Sequence, residues 1–492
     1  MTDINRQMAK GAIWMVLFKL LERFIGLIST VILARLLHPA DFGLVAIATS
    51  LIAIIELLGA FNFDVALIQN TQSNRSHYDT AWTFNVFYGI FSAAILVAIS
   101  WSAADFYNDF RLQPIISCLA LASMVAGFEN IGVVAFRKNM RFDQEFKFLI
   151  SKKLISFTVT LTCAWFVRSY WALIAGMLTG RVAGVVISYI SQPYRPQICL
   201  SAKNELFRFS RWLIFNNVLF FLMHRSADFI IGKLAGPSGL GIYNISYEIS
   251  NLPTTELVAP INRAVFPGYS KIGGDLVALR KSFLDVTAMI AILAVPAGIG
   301  LAAVASPLVA VMLGDKWTET VPLIEILAFY GVIGALQTNI GSVFIAMGKP
   351  KLLTFAAAIY VSFLLPLLYM GIKLYGVTGA AWGFLITAII NMPITIIITA
   401  YSINLSIISY VIAVWRPILS SAIMFFLIRN IIDQLDQICL QPPKIIILLI
   451  SVLIGVIIYN TILLLLWLLS GKPTGAEKQL LDKLKTKIIK FL

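Results

Sequence analysis

Apolar residues in this chain come in unbroken runs of about 20, the length at which a helix crosses a bilayer, and short polar connections separate them. Fourteen spans are predicted, over 11–33, 42–61, 80–102, 112–135, 148–168, 171–191, 212–233, 239–258, 284–305, 320–345, 352–372, 378–400, 411–431 and 445–469. Barrel strands would alternate apolar and polar positions; these runs do not. A helix satisfies its backbone hydrogen bonds within one segment, as lipid demands. The predicted fold is therefore an all-α polytopic membrane protein of 14 transmembrane helices. No connection is long enough to hold a soluble catalytic domain.

The exceptions inside the runs are informative. An ionisable residue at the bilayer centre costs about 2.5–3.5 kcal/mol on insertion scales, yet Lys19, Glu22 and Arg23 sit in the middle of the first run. At about 100° per residue these three share one face with Gly26 and Thr30. Leu17, Leu21, Phe24, Ile28 and Ile32 form the opposite face. The ionic stripe must face protein or water. Similar faces recur: Asn217, His224, Arg225 and Asp228 in the seventh span, and Asn244, Glu248, Asn251 and Thr255 in the eighth, with Pro253 as a kink. Glu56, Glu129 and Asn130, Arg181 and Glu325 add single positions in spans two, four, six and ten. Two readings stay open. Lys19–Glu22, Arg225–Asp228 and His224–Asp228 have the spacing of intrahelical pairs that would pin the structure. Collectively, the stripes fit the lining of a water-filled cavity.

Composition agrees with a membrane protein. Of 492 residues, 59% are hydrophobic and 13% charged, against about 25% charged in soluble domains. The net charge of +14 would suggest nucleic acid in a soluble protein, but here it lies mainly in connections and no nucleic-acid partner is expected. With the N-terminus in the cytoplasm, inner connections and tail hold 25 Lys and Arg residues and outer ones 8, so both termini are predicted inside. The tail, 473–492, is amphipathic: Leu480, Leu481, Leu484, Ile488, Phe491 and Leu492 share a face and Lys478, Lys483, Lys485 and Lys490 lie off it, which suits the anionic inner leaflet. A frayed, solvated end is the alternative. The first run carries charges and no small-residue cleavage site, so it is read as retained. Four dispersed cysteines, three scattered histidines and no GxxxxGK[ST] motif leave no expected metal, cofactor, catalytic constellation or ATPase site.

ARLLHPADFGL, from Ala34, and GKLAGPSGLGI, from Gly232, stand at a constant offset of 198 that also relates Trp14 to Trp212. The offset pairs Arg35 with Lys233, Pro39 with Pro237 and Gly43 with Gly241; Pro and Gly mark a tight turn in each copy. Spans one to six (11–191) and seven to twelve (212–400) are thus predicted as two six-helix lobes in parallel repeat, with substrate between them near the midplane. Two extra C-terminal helices (411–469) stand outside the repeat and carry almost no charge.

ARLLHPADFGLVAIATSL (34–51), with KGAIW (10–14), ALIQN (66–70), FSRWLIFNN (209–217), GPSGLGIYNISYEISNLP (236–253) and AVFPGYSKI (264–272), resembles bacterial polysaccharide flippases of the Wzx type, in the multidrug/oligosaccharidyl-lipid/polysaccharide exporter superfamily. The likeness is greatest to the colanic-acid exporter branch and covers about residues 1–470. It implies a two-lobe fold and a non-enzyme that moves undecaprenyl-pyrophosphate-linked oligosaccharide to the outer leaflet of the bacterial cytoplasmic (inner) membrane, for surface polysaccharide assembly. Implied partners are that lipid, membrane lipids, a coupling proton or sodium ion, and a polysaccharide polymerase with its chain-length regulator. In the related lipid-linked peptidoglycan precursor flippases a cationic cavity holds the pyrophosphate and the last two helices form a groove for the lipid tail. By position, Lys19, Arg23, Arg181 and Arg225 are the candidate pyrophosphate ligands, because a guanidinium matches phosphate bidentately. Asn216, Asn217, Asn244, Tyr247 and Asn251 are the candidate sugar contacts, and Glu22, Glu56, Glu129, Asp228 and Glu248 the coupling candidates. A drug/cation antiporter of the same superfamily would want carboxylates and aromatics in place of Lys and Arg; a membrane polymerase or glycosyltransferase would want acidic catalytic residues in a sizeable loop.

Overall fold

Every described element is helical, as continuous apolar runs in lipid require. The computed structural model describes residues 2–58, 63–69, 73–437, 443–473, 475, 477 and 478; within the helices, the side chains of residues 2–9, 12, 58, 69, 203–220, 224, 436 and 437 stand outside that description. Most of the 473–492 tail, with the helix predicted there, lies outside it too. Two compact units divide the chain, residues 1–241 and 242–492.

The first unit contains α1 (Thr2–Leu36), α2 (Pro39–Leu58), α3 (Phe63–Gln69), α4 (Arg75–Tyr107), α5 (Leu112–Gly127), α6 (Val134–Lys138), α7 (Phe142–Val167), α8 (Trp171–Ser191) and most of α9 (Lys203–Ser250). α4 packs on α5, α7 on both α8 and α1, and α5 on α8. The break between α5 and α6 turns the chain by 62°. Buried Asn130 caps the short helical turn there, accepting from the Gly132 amide at 2.9 Å and donating from Nδ2 to the Tyr194 carbonyl at 2.7 Å. The extended segment after α8 is pinned to α4: buried Asp79 accepts from the Gln197 amide at 2.9 Å and from the Tyr194 hydroxyl, and Thr83 Oγ1 accepts from the Cys199 amide at 3.0 Å.

Helix α9 is continuous in hydrogen bonding but broken at Gly236, whose φ of 71° is open to glycine at little cost. The break lies in the second copy of the repeated turn. There the two copies meet reciprocally. A Cβ placed on Gly43 would overlap the Pro237 carbonyl, and one on Gly241 would overlap the Pro39 carbonyl. The two copies related by the sequence offset thus touch in space, the glycine of each against the proline of the other.

The second unit continues with a π-helical turn (Pro253–Val258), α10 (Ala259–Ile272), α11 (Leu276–Ala303), α12 (Ala305–Met312), α13 (Thr320–Ala346), α14 (Pro350–Ile403), α15 (Ile407–Gln437) and α16 (Lys444–Leu469). α11 is its axis, packed against α13, α14, α15 and α16. The core around it contains Tyr269, Phe283, Phe344, Tyr410, Ile428 and Tyr459. α14 has 54 residues, far more than a bilayer needs, and breaks at Tyr375–Gly376. Gly371 and Gly379 then approach backbone to backbone, so α14 is a hairpin of two antiparallel limbs.

Among the described residues, nine helices are long and apolar enough to cross a membrane, or ten if the bent α5–α6 pair is one span. The chain is a multi-pass membrane protein. That measure stops short of the 14 predicted spans for physical reasons: α1 and α9 carry ionic residues, and α14 counts once although it is folded in two.

Candidate functional site

The ionic face of α1 is open. Lys19 Nζ donates to Glu22 Oε2 at 2.7 Å, with the two side chains 56% and 37% exposed. Arg23, one turn beyond Lys19, is half-buried. On α8, Arg181 Nη2 reaches Glu56 Oε1 of α2 at 3.2 Å, both about half exposed. On α9, Arg225 Nη1 donates to Asp228 Oδ2 at 3.1 Å; Asp228 is buried while Arg225 is not. Lys19, Arg181 and Arg225 therefore already hold a carboxylate. Lys19–Glu22 and Arg181–Glu56, exposed on both sides, contribute about 0–1 kcal/mol each, so a competing anion can displace those carboxylates at small cost.

Glu129, a coupling candidate, has a different setting. It lies at the α5–α6 break and accepts from Lys152 Nζ of α7 at 2.8 Å. The side chains of Asn216, Asn217 and His224 lie outside the described residues.

In the second unit, Asn244, Tyr247, Glu248 and Asn251 fall at the end of α9, all partly exposed. Asn251 Nδ2 donates to the Tyr247 carbonyl at 2.9 Å. The wide π-helical turn follows at once, and Thr254 Oγ1 donates to the Gly331 carbonyl at 2.9 Å, tying the turn to α13. Tyr247 belongs to an aromatic cluster missed in the sequence: its ring centroid is 6.2 Å from Tyr330 and 6.1 Å from Phe384, Tyr243 stacks on Phe384 at 5.6 Å, and the Tyr330 and Tyr360 hydroxyls are 3.3 Å apart. Aromatic faces beside amide groups suit the two faces of a sugar ring.

A second feature lies between α11, α15 and α16. It is a groove of about 620 Å³, walled by Ile292, Pro296, Gly300, Met424, Ile428, Gly455, Leu463 and Trp467. Ser451, Tyr459, Asn460 and Glu477 are its polar liners, and the Tyr459 hydroxyl is already committed to the Ile292 carbonyl at 2.9 Å. Behind the groove, Arg416 of α15 and Glu477 of the tail form an ion pair at 3.3 Å with both side chains 7% exposed. Arg416 was readable in IAVWRPIL, within a span taken to be almost free of charge. Its partner, 61 residues on, gave no local signal. Arg429 and Glu325 form a second long-range pair, at 2.6 Å. Among the described residues no group of three or more His, Cys, Asp or Glu side chains is placed to hold a metal ion.

An all-helical, multi-pass chain with an open ionic face and a lateral apolar groove has the features of a membrane transporter. Residues 32–322 match the family described as polysaccharide biosynthesis proteins, and the chain belongs to that family. It is 25% identical over 421 residues to the lipopolysaccharide biosynthesis protein WzxC of Escherichia coli, covering 84% of this chain and 85% of that one. It is 25% identical over 434 residues to the teichuronic acid biosynthesis protein TuaB of Bacillus subtilis, covering 86% and 89%. Among solved structures, the lipid II flippase MurJ in an inward closed conformation superposes with a TM-score of 0.71 at 14% identity, covering 92% of this chain and 99% of MurJ. The resemblance read from the repeated turn is thus borne out, as is the transporter fold.

Proposed function

We propose that this protein is a flippase that carries polyprenyl-pyrophosphate-linked oligosaccharide units across the bacterial cytoplasmic membrane, for assembly of a surface polysaccharide. The observation that carries the reading is the apolar groove along α15 and α16, the helices outside the repeat. A transporter of small soluble solutes has no need of a lateral groove; a carrier whose cargo keeps a long hydrocarbon tail in lipid does. The names and near-full-length match of the relatives agree with it.

In this reading the charged head and the tail are handled separately. Lys19, Arg23, Arg181 and Arg225 bind the pyrophosphate oxygens, exchanging carboxylate for phosphate at the open pairs. Asn244, Tyr247 and Asn251, with Asn216 and Asn217, contact the sugars. Glu22, Glu56, Asp228 and Glu248 respond to phosphate arrival, since each carboxylate released from a cation becomes available to a proton or sodium ion. Glu129, held by Lys152, is the member of that set assigned a supporting role. The two repeat halves operate by alternating access, both termini lie in the cytoplasm, the protein catalyses no covalent step, and the polymerase and chain-length regulator act on the delivered unit.

The test is complementation of a strain lacking the gene. K19A and R23A should each abolish surface polysaccharide and leave the amount of protein in the membrane unchanged. Normal surface polysaccharide with both variants would remove the phosphate role.

A further inference from the structure

We infer that Arg416 and the hydroxyl groups near it form a binding site for the phosphodiester of an anionic phospholipid, whose chains occupy the groove between substrate loads, and that Glu477 is a built-in competitor for that site. The inference rests on the reading of the groove as a place for lipid chains.

Arg416 lies deep in α15, 6% exposed. Glu477 meets one edge of its guanidinium, through Nη2, at 3.3 Å. The rest of the group is not answered: Nε and Nη1 are buried with no hydrogen-bond partner. Ser420, one turn along the same helix, and Ser421 also hold buried hydroxyls with no partner. A helical serine ordinarily returns its hydroxyl to the carbonyl four residues back, as Ser226 and Ser246 do here. The region is therefore rich in donors and poor in acceptors. A planar guanidinium fork with hydroxyls about it matches the oxygens of a phosphate.

The groove supplies the rest of the ligand. Ser451 and Glu477 line it, and its walls are hydrocarbon and indole. The anion is thus joined to apolar chains. Its charge is fixed by what it replaces: one carboxylate against one arginine. A phosphodiester, singly negative, restores that balance, whereas a pyrophosphate would bring excess negative charge into a buried site. Glu477 reaches Arg416 only because the chain doubles back after α16, through Gly471 and Lys472 at φ 79° and 55°, with Trp467 Nε1 donating to the Pro473 carbonyl at 3.2 Å. Glu477 lies beyond the end of α16, after this reversal, so its carboxylate can withdraw without disturbing a membrane-spanning helix.

Native mass spectrometry of the full-length protein, released from micelles containing phosphatidylglycerol, polyprenyl phosphate or neutral polyprenol, tests this. E477Q should retain phosphatidylglycerol about tenfold more strongly than wild type, and R416Q about tenfold less, the range of one charge-assisted hydrogen bond gained or lost. Polyprenol retention should be the same in all three proteins. R416Q/E477Q, which keeps a neutral amide pair, should bind phosphatidylglycerol as weakly as R416Q and guards against misfolding of the single variant. Unchanged or weaker phosphatidylglycerol retention by E477Q overturns the inference. A gain confined to polyprenyl phosphate overturns the phospholipid assignment. Absence of polyprenol from every variant counts against the groove as a lipid-chain site, separately from the Arg416 result.

Discussion

Helices α1 and α15 treat charge in opposite ways. α1 carries three ionic residues in five positions, and its Lys19–Glu22 pair is left uncovered by the protein. α15 holds Arg416 alone within its apolar stretch 407–428, and that residue is sealed against a partner from the far end of the chain. Charge density along a helix therefore does not measure its electrostatic cost. An open pair contributes about 0–1 kcal/mol to stability and is free to exchange partners. A buried pair is held in place because losing one member leaves the other stranded, at about 3–5 kcal/mol in rigid settings. The first arrangement suits a site that must bind and release an anion repeatedly; the second suits one filled by default.

That contrast can be broken in several ways. The largest effect belongs to α1: the double variant K19A/R23A should lower transport by at least about 100-fold, as loss of two charge-assisted contacts to phosphate implies, with unfolding stability in detergent changed by no more than about 1 kcal/mol. A large drop in stability would mean that the pair is structural after all. α15 should behave in reverse. R416M should cost about 2–4 kcal/mol in thermal or chemical unfolding, less than a rigid pair because Glu477 can withdraw, and R416M/E477M should recover most of it. If both variants are as stable as wild type, the pair is not a buried one.

A region without charge supplies the next test. Adding one methyl at Gly43 or Gly241 forces the Pro237 or Pro39 carbonyl aside, so G43A and G241A should each destabilise by about 1–3 kcal/mol. Because the two glycines lie side by side in one close approach of the two turns, their effects should not add. The smallest effect is expected at Asp109, in the turn between α4 and α5. A side-chain hydrogen bond from Arg111, at 2.7 Å to Oδ2, holds its carboxyl below the usual carboxylate range. A lowered native value means stability that is present above the unfolded carboxylate's range and lost as pH falls through the native one. Arg111 is half exposed and the pair is local, so D109N should cost only about 0.5 kcal/mol at neutral pH. The difference from wild type should vanish under strong acid.

What the sequence revealed follows the range of the interactions. The α1 stripe was legible because helical spacing alone places Lys19, Glu22 and Arg23 on one face. The repeated turn was legible because Pro and Gly recur at one offset, although nothing local showed that the copies touch. The Lys152 partner of Glu129 gave no local signal, because the two are 23 residues apart and meet across the α5–α6 bend. Tyr243, Tyr247, Tyr330 and Phe384 converge from three helices spread over 142 positions, and no periodicity links them. Arg416 was in plain view, but a run-length reading averages one charge away among its apolar neighbours.

The most direct measurement is flipping by the purified protein in proteoliposomes, with a polyprenyl-pyrophosphate oligosaccharide placed in one leaflet and its sugar scored by a membrane-impermeant reagent on the other side. Wild type should equilibrate the sugar between leaflets, and K19A/R23A should leave it where it was placed. Equal transfer by both proteins, or transfer no faster than in protein-free liposomes, would contradict the account.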